Sequence, residues 1–479
     1  MKKILSKLVS SVLALSMIPA MPVYAENVNS GKCGDNASWK YDGNGKLTIS
    51  GSGKMYDAID SWNSFSNNIT EIEVKSGITY IGVHEFDRLE NLKIVSLPNT
   101  INQIGDCAFS MCINLEEIKL PDSITSIGSY TFEGCNLKEI VLPQKLSSIS
   151  DGLFSSCFDL SNIIIPDTIT EIGHDAFGGC TSLKTIQLPS NLTSIGEFAF
   201  DSSGLTQIVL PESLQDIENC AFVECNNIKS ITIPKNVRII GDIEGGKIFS
   251  QNTKIDVSHD NSYFVSENGI LFDKNRTTLI HYPIDNSVKE YIIPDSVKKI
   301  YPCAFLGATN LEKVQIPNKI SVINDSTFAN CTNLVELDFP ESVTEIKTAV
   351  FYGCSNLNSI IIRNPQCVIS DPYWESTFKD FQGTIYGYPN SIVQKYANDN
   401  GIKFKLIDDL NTTTTSTATT STATSVVTTT QPVTTHPLGD VNGDDIVDGR
   451  DATAILTYYA KTSTGYTGTL EDFIKSQPE

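Results

Sequence analysis

The chain has 479 residues and a formal net charge of −21, from 56 acidic and 35 basic side chains. That excess of carboxylates repels a phosphate backbone, which argues against nucleic-acid binding, and it leaves hard oxygen ligands for calcium. The twelve cysteines would suggest a disulfide framework in an exported chain, but their spacing follows a repeat and not a pairing pattern.

Residues 1–25 have a basic start (Lys2, Lys3, Lys7), an apolar middle and the small-residue site Val23-Tyr24-Ala25. They read as a signal peptide. A membrane anchor would need a longer apolar run, and Pro19 and Pro22 interrupt this one. No later stretch is apolar enough to span a bilayer, so the mature chain is expected to be secreted and extracellular, with no transmembrane segment.

Residues 26–67 are expected to form an N-terminal cap hairpin. From there, prolines recur at 98, 121, 143, 166, 189, 211 and 234, in steps of 22 or 23, and again at 294, 317 and 340. A fixed period of this length marks a solenoid. In one copy Ile186 and Leu188 alternate with Thr185 and Gln187, the pattern of a half-buried strand, and Pro189, lacking an N–H, ends it. Gly173 and Gly196, after the second Ile, are assigned to turns with unusual backbone angles. One Phe per coil plugs the core: Phe86, Phe109, Phe132, Phe154, Phe177, Phe200, Phe222, Phe305, Phe328 and Phe351. The expected fold is mainly β: a right-handed leucine-rich-repeat solenoid of about twelve 22–23-residue coils with a parallel ladder. Repeats fill 68–243 and resume at 287–410, which ends in a C-terminal cap. Between them, 244–286 is an irregular insert whose Asn268-Gly269 signals a hairpin turn.

The repeat also sorts the cysteines. Cys112, Cys135, Cys157, Cys180, Cys225, Cys331 and Cys354 stand three residues after the Phe, and Cys107, Cys220 and Cys303 two before it. The leading reading is an internal ladder of buried thiols; disulfides between adjacent coils remain open. Zinc is disfavoured, since no Cys-x-x-Cys occurs. Cys33 and Cys367 lie outside the ladder.

Residues 411–437 form a Thr/Ser-rich linker, free of Lys, Arg, Asp and Glu, and cannot build a core. The last segment, 438–479, opens on a calcium loop: Asp440, Asn442, Asp444, Ile446 (through its carbonyl), Asp448 and Asp451 stand at positions 1, 3, 5, 7, 9 and 12 of an EF-hand-like loop. An apolar helix follows, so Ca2+ is the expected cofactor of a small α-helical module. Position 6 holds Asp445 where glycine is usual, and position 12 is Asp451 where glutamate is usual.

No catalytic constellation emerges. The five histidines share no motif, and nucleophile-elbow, metalloprotease and phosphate-loop patterns are absent. The chain is therefore expected not to be an enzyme. What remains is one outward side chain per strand: Lys119, Val141, Ile164, Gln187, Val209, Thr232, Ile292, Gln315, Asp338 and Ile361. Val141, Ile164, Gln187, Val209 and Ile292 are the candidate ligand-binding face. Plain β-propensity is the competing explanation for its apolar members.

The repeats, the opening stretch 33–57, the insert 263–283 and the exit 383–404 together resemble the BspA-type leucine-rich-repeat proteins of bacterial surfaces. That resemblance implies binding and adhesion without chemistry. The calcium loop with Asp451 and the helix after it resemble a dockerin, the module that plugs into a cohesin of a cellulosome scaffold. Dockerins carry two loops and this chain shows one. By the same resemblance, Gly449 and Arg450 sit where dockerins contact cohesin. The expected function is a non-catalytic binding or adhesion protein held on a scaffold or cell surface, its repeats meeting a protein or glycan ligand. The alternative is a cellulosome-associated glycoside hydrolase or another component of polysaccharide catabolism.

Overall fold

The computed structural model describes residues 29–57, 62–241, 246–371, 377–379 and 381–412. The signal peptide, the linker from residue 413 and the calcium segment with Asp440, Asn442, Asp444, Ile446, Asp448, Gly449, Arg450 and Asp451 lie outside the described residues.

Three antiparallel strands (Ser30–Lys32, Asn36–Tyr41, Lys46–Lys54) open the fold. The last of them starts both ladders of the solenoid, pairing in parallel with Glu71–Val74 through its first half and with Ile78–Ile81 through its second. Its turn is set locally, because the Asp42 carboxylate accepts the N–H groups of Asn44 and Lys46. Buried Trp39 meets Trp62 edge-on at 6.0 Å, and Trp62 stacks on Phe86 at 5.5 Å. The cap thus closes the apolar end that the first coil would otherwise expose.

Most coils then contribute a strand ending at the Leu-Pro or Ile-Pro step and, after a turn, a two-residue strand such as Ser148–Ile149 or Glu171–Ile172. Both are parallel to their neighbours and in register with them. The turn between them hangs on the proline carbonyl, as in Ile101 N–H to Pro98 O at 3.1 Å. The first ladder is not continuous: no strand forms around Lys119, Gln187 or Val209. There the chains bond only where the strand would begin, as in Thr206 N–H to Lys184 O at 2.9 Å.

All ten predicted core phenylalanines are buried. From Phe86 to Phe249 successive rings lie 5.3–6.0 Å apart, most of them nearly parallel. Phe249, hidden in sequence by the insert, takes the same slot. Around each Phe the backbone does what sequence did not reveal: the residues two before and two after it are left-handed in almost every coil, whatever their type. His84, Cys107, Tyr130, Asp175, Phe198, Cys220 and Cys303 (φ 53–57°) fill the first place, and Arg88, Met111, Ser156, Ser202 and Glu224 (φ 53–57°) the second. Each such non-glycine residue costs about 1–2 kcal/mol. The cost is offset because alternate N–H groups are thereby aimed at the next coil, as in His84 to Asp106 O (2.9 Å), Phe86 to Ala108 O (2.9 Å) and Arg88 to Ser110 O (2.8 Å).

The glycines after the second Ile correct an expectation. Gly173 and Gly196 do not have positive φ. They are small because coils approach closely: a Cβ on Gly196 would lie 2.8 Å from the Gly173 carbonyl carbon, and one on Gly173 would lie 2.8 Å from the Asp151 nitrogen. Ser150 and Glu218 occupy this place elsewhere, so the tight approach belongs to the glycine coils. Gly196→Ala should therefore cost about 1–3 kcal/mol by overpacking against immobile backbone; an unchanged melting temperature would refute the close approach.

All twelve cysteines are free thiols. The seven in the main slot each donate to the carbonyl of the preceding coil's aromatic slot, from Cys112 to Phe86 O (3.2 Å) through Cys225 to Phe200 O (2.9 Å) to Cys354 to Phe328 O (3.0 Å). Burial pushes these thiols well above their ordinary range, with Cys225 and Cys354 at about 12. The ladder of thiols, not inter-coil disulfides, is the structural outcome. Cys33 and Cys367 are buried too, and burial raises both to about 12, which removes them as reactive groups.

The insert folds as a hairpin, Phe264–Glu267 with Ile270–Asp273, turning at Asn268 and Gly269, both with positive φ. It continues to Thr278–His281, which pairs in parallel with the repeat strand Lys299–Ile300. Here the Phe stack is spliced: His281 meets Phe249 edge-on at 5.9 Å and Tyr282 meets Phe305 at 4.9 Å. The far end is closed by the helix Ile392–Asp399, whose N-cap Ser391 hydroxyl accepts the Gln394 N–H and which buries Val393 and Ala397.

Candidate functional site

Register aligns the outward side chains within each unbroken run of the first ladder: Val141 with Ile164, Thr232 with Asp256, and Ile292 with Gln315, Asp338 and Ile361. Val141 (55% exposed) pairs directly with Ile164 (52%), and Val209 (82%) and Gln187 are also exposed. These four come from consecutive coils, between Lys119 and Thr232. With ladder steps of about 4.8 Å, they span roughly 14 Å. Ile292 (65% exposed) holds the same repeat position beyond the insert, in a separate sheet, apart from the other four. The structure therefore brings four of the five predicted face residues together and separates the fifth. Gln187 and Val209 are exposed although they sit on no strand.

Ile361 is a correction: it is only 4% exposed. Its register partners are Asp338 and Tyr386. Arg363, two residues on and so on the same face, reaches back to clasp the Asp338 carboxylate with two bonds of 2.8 and 2.6 Å. These neighbours take Ile361 out of solvent.

Elsewhere the face carries ion pairs. Lys46 contacts Glu71 at 2.7 Å and Glu73 at 3.0 Å, and Lys289 contacts Glu312 at 2.6 Å. Such exposed pairs contribute little stability. Sequence reasoning missed Ile94, which is also exposed, one place earlier along its strand's outward side. The signal was available: Ile94 stands two residues before Ser96, at the outward period.

Among the described residues no three His, Cys, Asp or Glu side chains come together to hold a metal ion. Among the same residues no helix is long and apolar enough to cross a membrane. The described histidines are scattered. His84 faces Asp87 at 3.4 Å, His174 faces Glu197 at 3.9 Å, His259 faces Asp260 at 3.1 Å, and His281 is buried in the seam.

The family profile described as BspA type leucine rich repeat region matches in six copies, over residues 59–166, 147–256 and 284–396. The chain belongs to this family. The match accounts for both blocks of repeats on either side of the insert. Among solved structures, the chain is similar to a leucine-rich repeat protein from Bacteroides ovatus (24% identity, 78% of this chain and 98% of that one, TM-score 0.47). It is also similar to a leucine rich cell surface protein from Faecalibacterium prausnitzii (22% identity, 76% and 96%, TM-score 0.47) and to the pneumococcal vaccine antigen PcpA (18% identity, 75% and 82%, TM-score 0.39). No curated protein matches.

Proposed function

We propose that this BspA-type chain is a non-catalytic binding protein of the cell exterior. Its repeat face docks a protein ligand through the patch of Val141, Ile164, Gln187 and Val209. The observation that carries the reading is the exposed apolar column itself: three β-branched apolar side chains within four successive coils. A rigid array that repeats one outward position is suited to present such a surface.

The Thr/Ser segment 411–437 serves as a tether, and the segment 438–479 as a calcium-dependent plug for a cohesin of a scaffold protein. The support is the spacing of Asp440, Asn442, Asp444, Ile446, Asp448 and Asp451, which matches the oxygen-ligand pattern of a calcium loop. Gly449 and Arg450 are the cohesin-facing pair in this reading.

The test is affinity capture from the producing organism's culture with residues 26–479, in calcium and in chelator. A cohesin-bearing scaffold should be retained with calcium and lost with chelator. A second protein should be retained in both conditions and lost, by at least about tenfold, on the double substitution Val141→Asp and Ile164→Asp, with an unchanged melting temperature. Capture that survives the double substitution would remove the patch as the site. Glycan hydrolysis by the purified chain would replace this reading with the enzymatic one.

A further inference from the structure

Besides the breaks around Lys119 and around Gln187 and Val209, the ladder that carries the exposed column opens again at the insert. The strand Lys254–Val257 pairs with Ser230–Ile233 on one side. On its other side the insert's hairpin covers it: Ile255 donates its N–H to Gly269 O at 3.1 Å, and Val257 donates its N–H to the Ser266 hydroxyl at 3.0 Å. The next repeat strand, Glu290–Ile292, heads a new sheet and pairs forward only, with Lys313–Gln315. Ile293 N–H to Gln315 O and Lys313 N–H to Lys289 O, both 3.1 Å, place residues 289 and 293 in that forward ladder. Alternate residues of a strand turn their backbone groups to opposite edges, so the N–H and C=O of Glu290 and Ile292 face the gap. Among the described residues nothing pairs with them.

A cleft of about 670 Å³ adjoins this edge, lined by Tyr291 of the strand together with Lys254, Asp256, Asn268, Asp285 and Val288 among others. Its apolar lining residues are Ile270, Val288 and Tyr291, and Tyr291, half-buried, packs edge-on against Tyr282 at 5.1 Å. The lining also carries two carboxylates, Asp256 and Asp285. The one lysine in the lining, Lys254, already lies 3.6 Å from Asp285. An open strand edge is a ready template for another strand, and native proteins usually cover it. Acidic flanks favour a basic strand and oppose pairing with a second copy of this acidic chain.

We infer that the edge Glu290–Ile292 is a docking site for an extended basic peptide. The peptide adds as a strand, its backbone bonding Glu290 and Ile292, its basic side chains meeting Asp256 and Asp285, and an intervening apolar side chain facing Tyr291 and Val288. The site rests on the reading of the chain as a protein-binding solenoid, and adds a second location with its own chemistry.

The experiment is fluorescence anisotropy of a labelled Lys-Val octapeptide repeat with residues 26–479. Saturable binding is expected, with at least about tenfold weaker binding of the Glu-Val counterpart and of the same Lys-Val peptide with an N-methylated backbone. Ile292→Pro deletes an N–H on the unpaired edge without cutting a ladder bond and should weaken binding about tenfold. Should that variant misfold, the N-methylated peptide reads the same backbone contacts on the unaltered protein. Equal binding of the methylated peptide, or no saturable binding, overturns the proposal. Cellohexaose binding that is lost in Asp256→Asn would assign the cleft to a glycan instead and overturns it too. If the peptide fails while capture through Val141 and Ile164 stands, only the cleft proposal falls; if both fail, the binding-protein reading falls with it.

Discussion

Phe200→Ala is expected to destabilise the chain by about 3–5 kcal/mol, the range for emptying a buried aromatic site. Phe200 is fully buried, 5.3 Å from Phe177 and 5.4 Å from Phe222, with interplanar angles of 6° and 4°. Its neighbours cannot slide in to fill the void. Each ring is held by its own coil, with Phe177 N–H on Ala199 O at 2.8 Å and Phe200 N–H on Ala221 O at 2.9 Å. Because a solenoid is coupled only between neighbours, one weakened interface also divides the array. In urea the substituted chain should therefore lose its single transition. In a Trp374→Phe background, tryptophan fluorescence, excited selectively over tyrosine, comes only from Trp39 and Trp62, both near the N-terminal end, whereas far-ultraviolet circular dichroism reads the whole array. The two curves should separate in Phe200→Ala. Coincident curves with an unmoved midpoint would mean that the aromatic stack does not couple the coils.

The second large effect is with pH, and it is hidden by compensation. Burial of His281 in the seam depresses it from 6.5 to about 4, despite its bond to Thr253 O at 2.8 Å. Burial of Asp201, reinforced by the carboxylates of Asp175 and Glu224, raises it from 3.8 to about 6. His281 is neutral in the fold and takes a proton near pH 6.5 once unfolded. Its contribution is present above 6.5 and lost as pH falls towards 4, about 3 kcal/mol in all at 1.36 kcal/mol per unit. Asp201 works in the opposite sense: the folded carboxyl binds its proton near pH 6, the unfolded one near 3.8, so stability is gained over nearly the same fall. Its partial exposure makes up to about 3 kcal/mol an upper figure. Asp201→Asn should remove the gain and make the chain more acid-sensitive than the parent between pH 6 and 4. His281→Gln should do the reverse. Urea midpoints of the three chains across that window test both. Parallel pH profiles would show that neither group titrates differently on folding.

Much of the architecture was legible because a solenoid writes its packing into a period. The recurrent proline, the Phe and the slot three after it each appear in the fold where the period placed them: strand end, ring stack, thiol ladder. The hairpin at Asn268-Gly269 was legible for a local reason, since a two-residue turn with positive φ favours that dipeptide. Other features depended on what the next coil does. Gly173 and Gly196 read as turn residues because glycine is the usual carrier of positive φ, yet they answer to backbone packed against them. The left-handed positions carry Cys, Tyr, Arg, Met or Glu, and no local preference predicts that. Ile361 fits the outward period as well as Ile164 does, and is buried only because Arg363 and Tyr386 close around it.

By itself, the sequence determined the repeating coil, its apolar lining and its outward column, because those are properties of one coil with its period and hold in every copy. Only the tertiary structure decided where copies stop being equivalent: the ladder interrupted around Gln187 and Val209, Ile292 set apart from Val141, Ile164 and Val209, and the open edge at Glu290–Ile292. These depend on hydrogen bonds between residues some 23 or more positions apart in the chain. No residue's own preference records whether its partner across that distance is present.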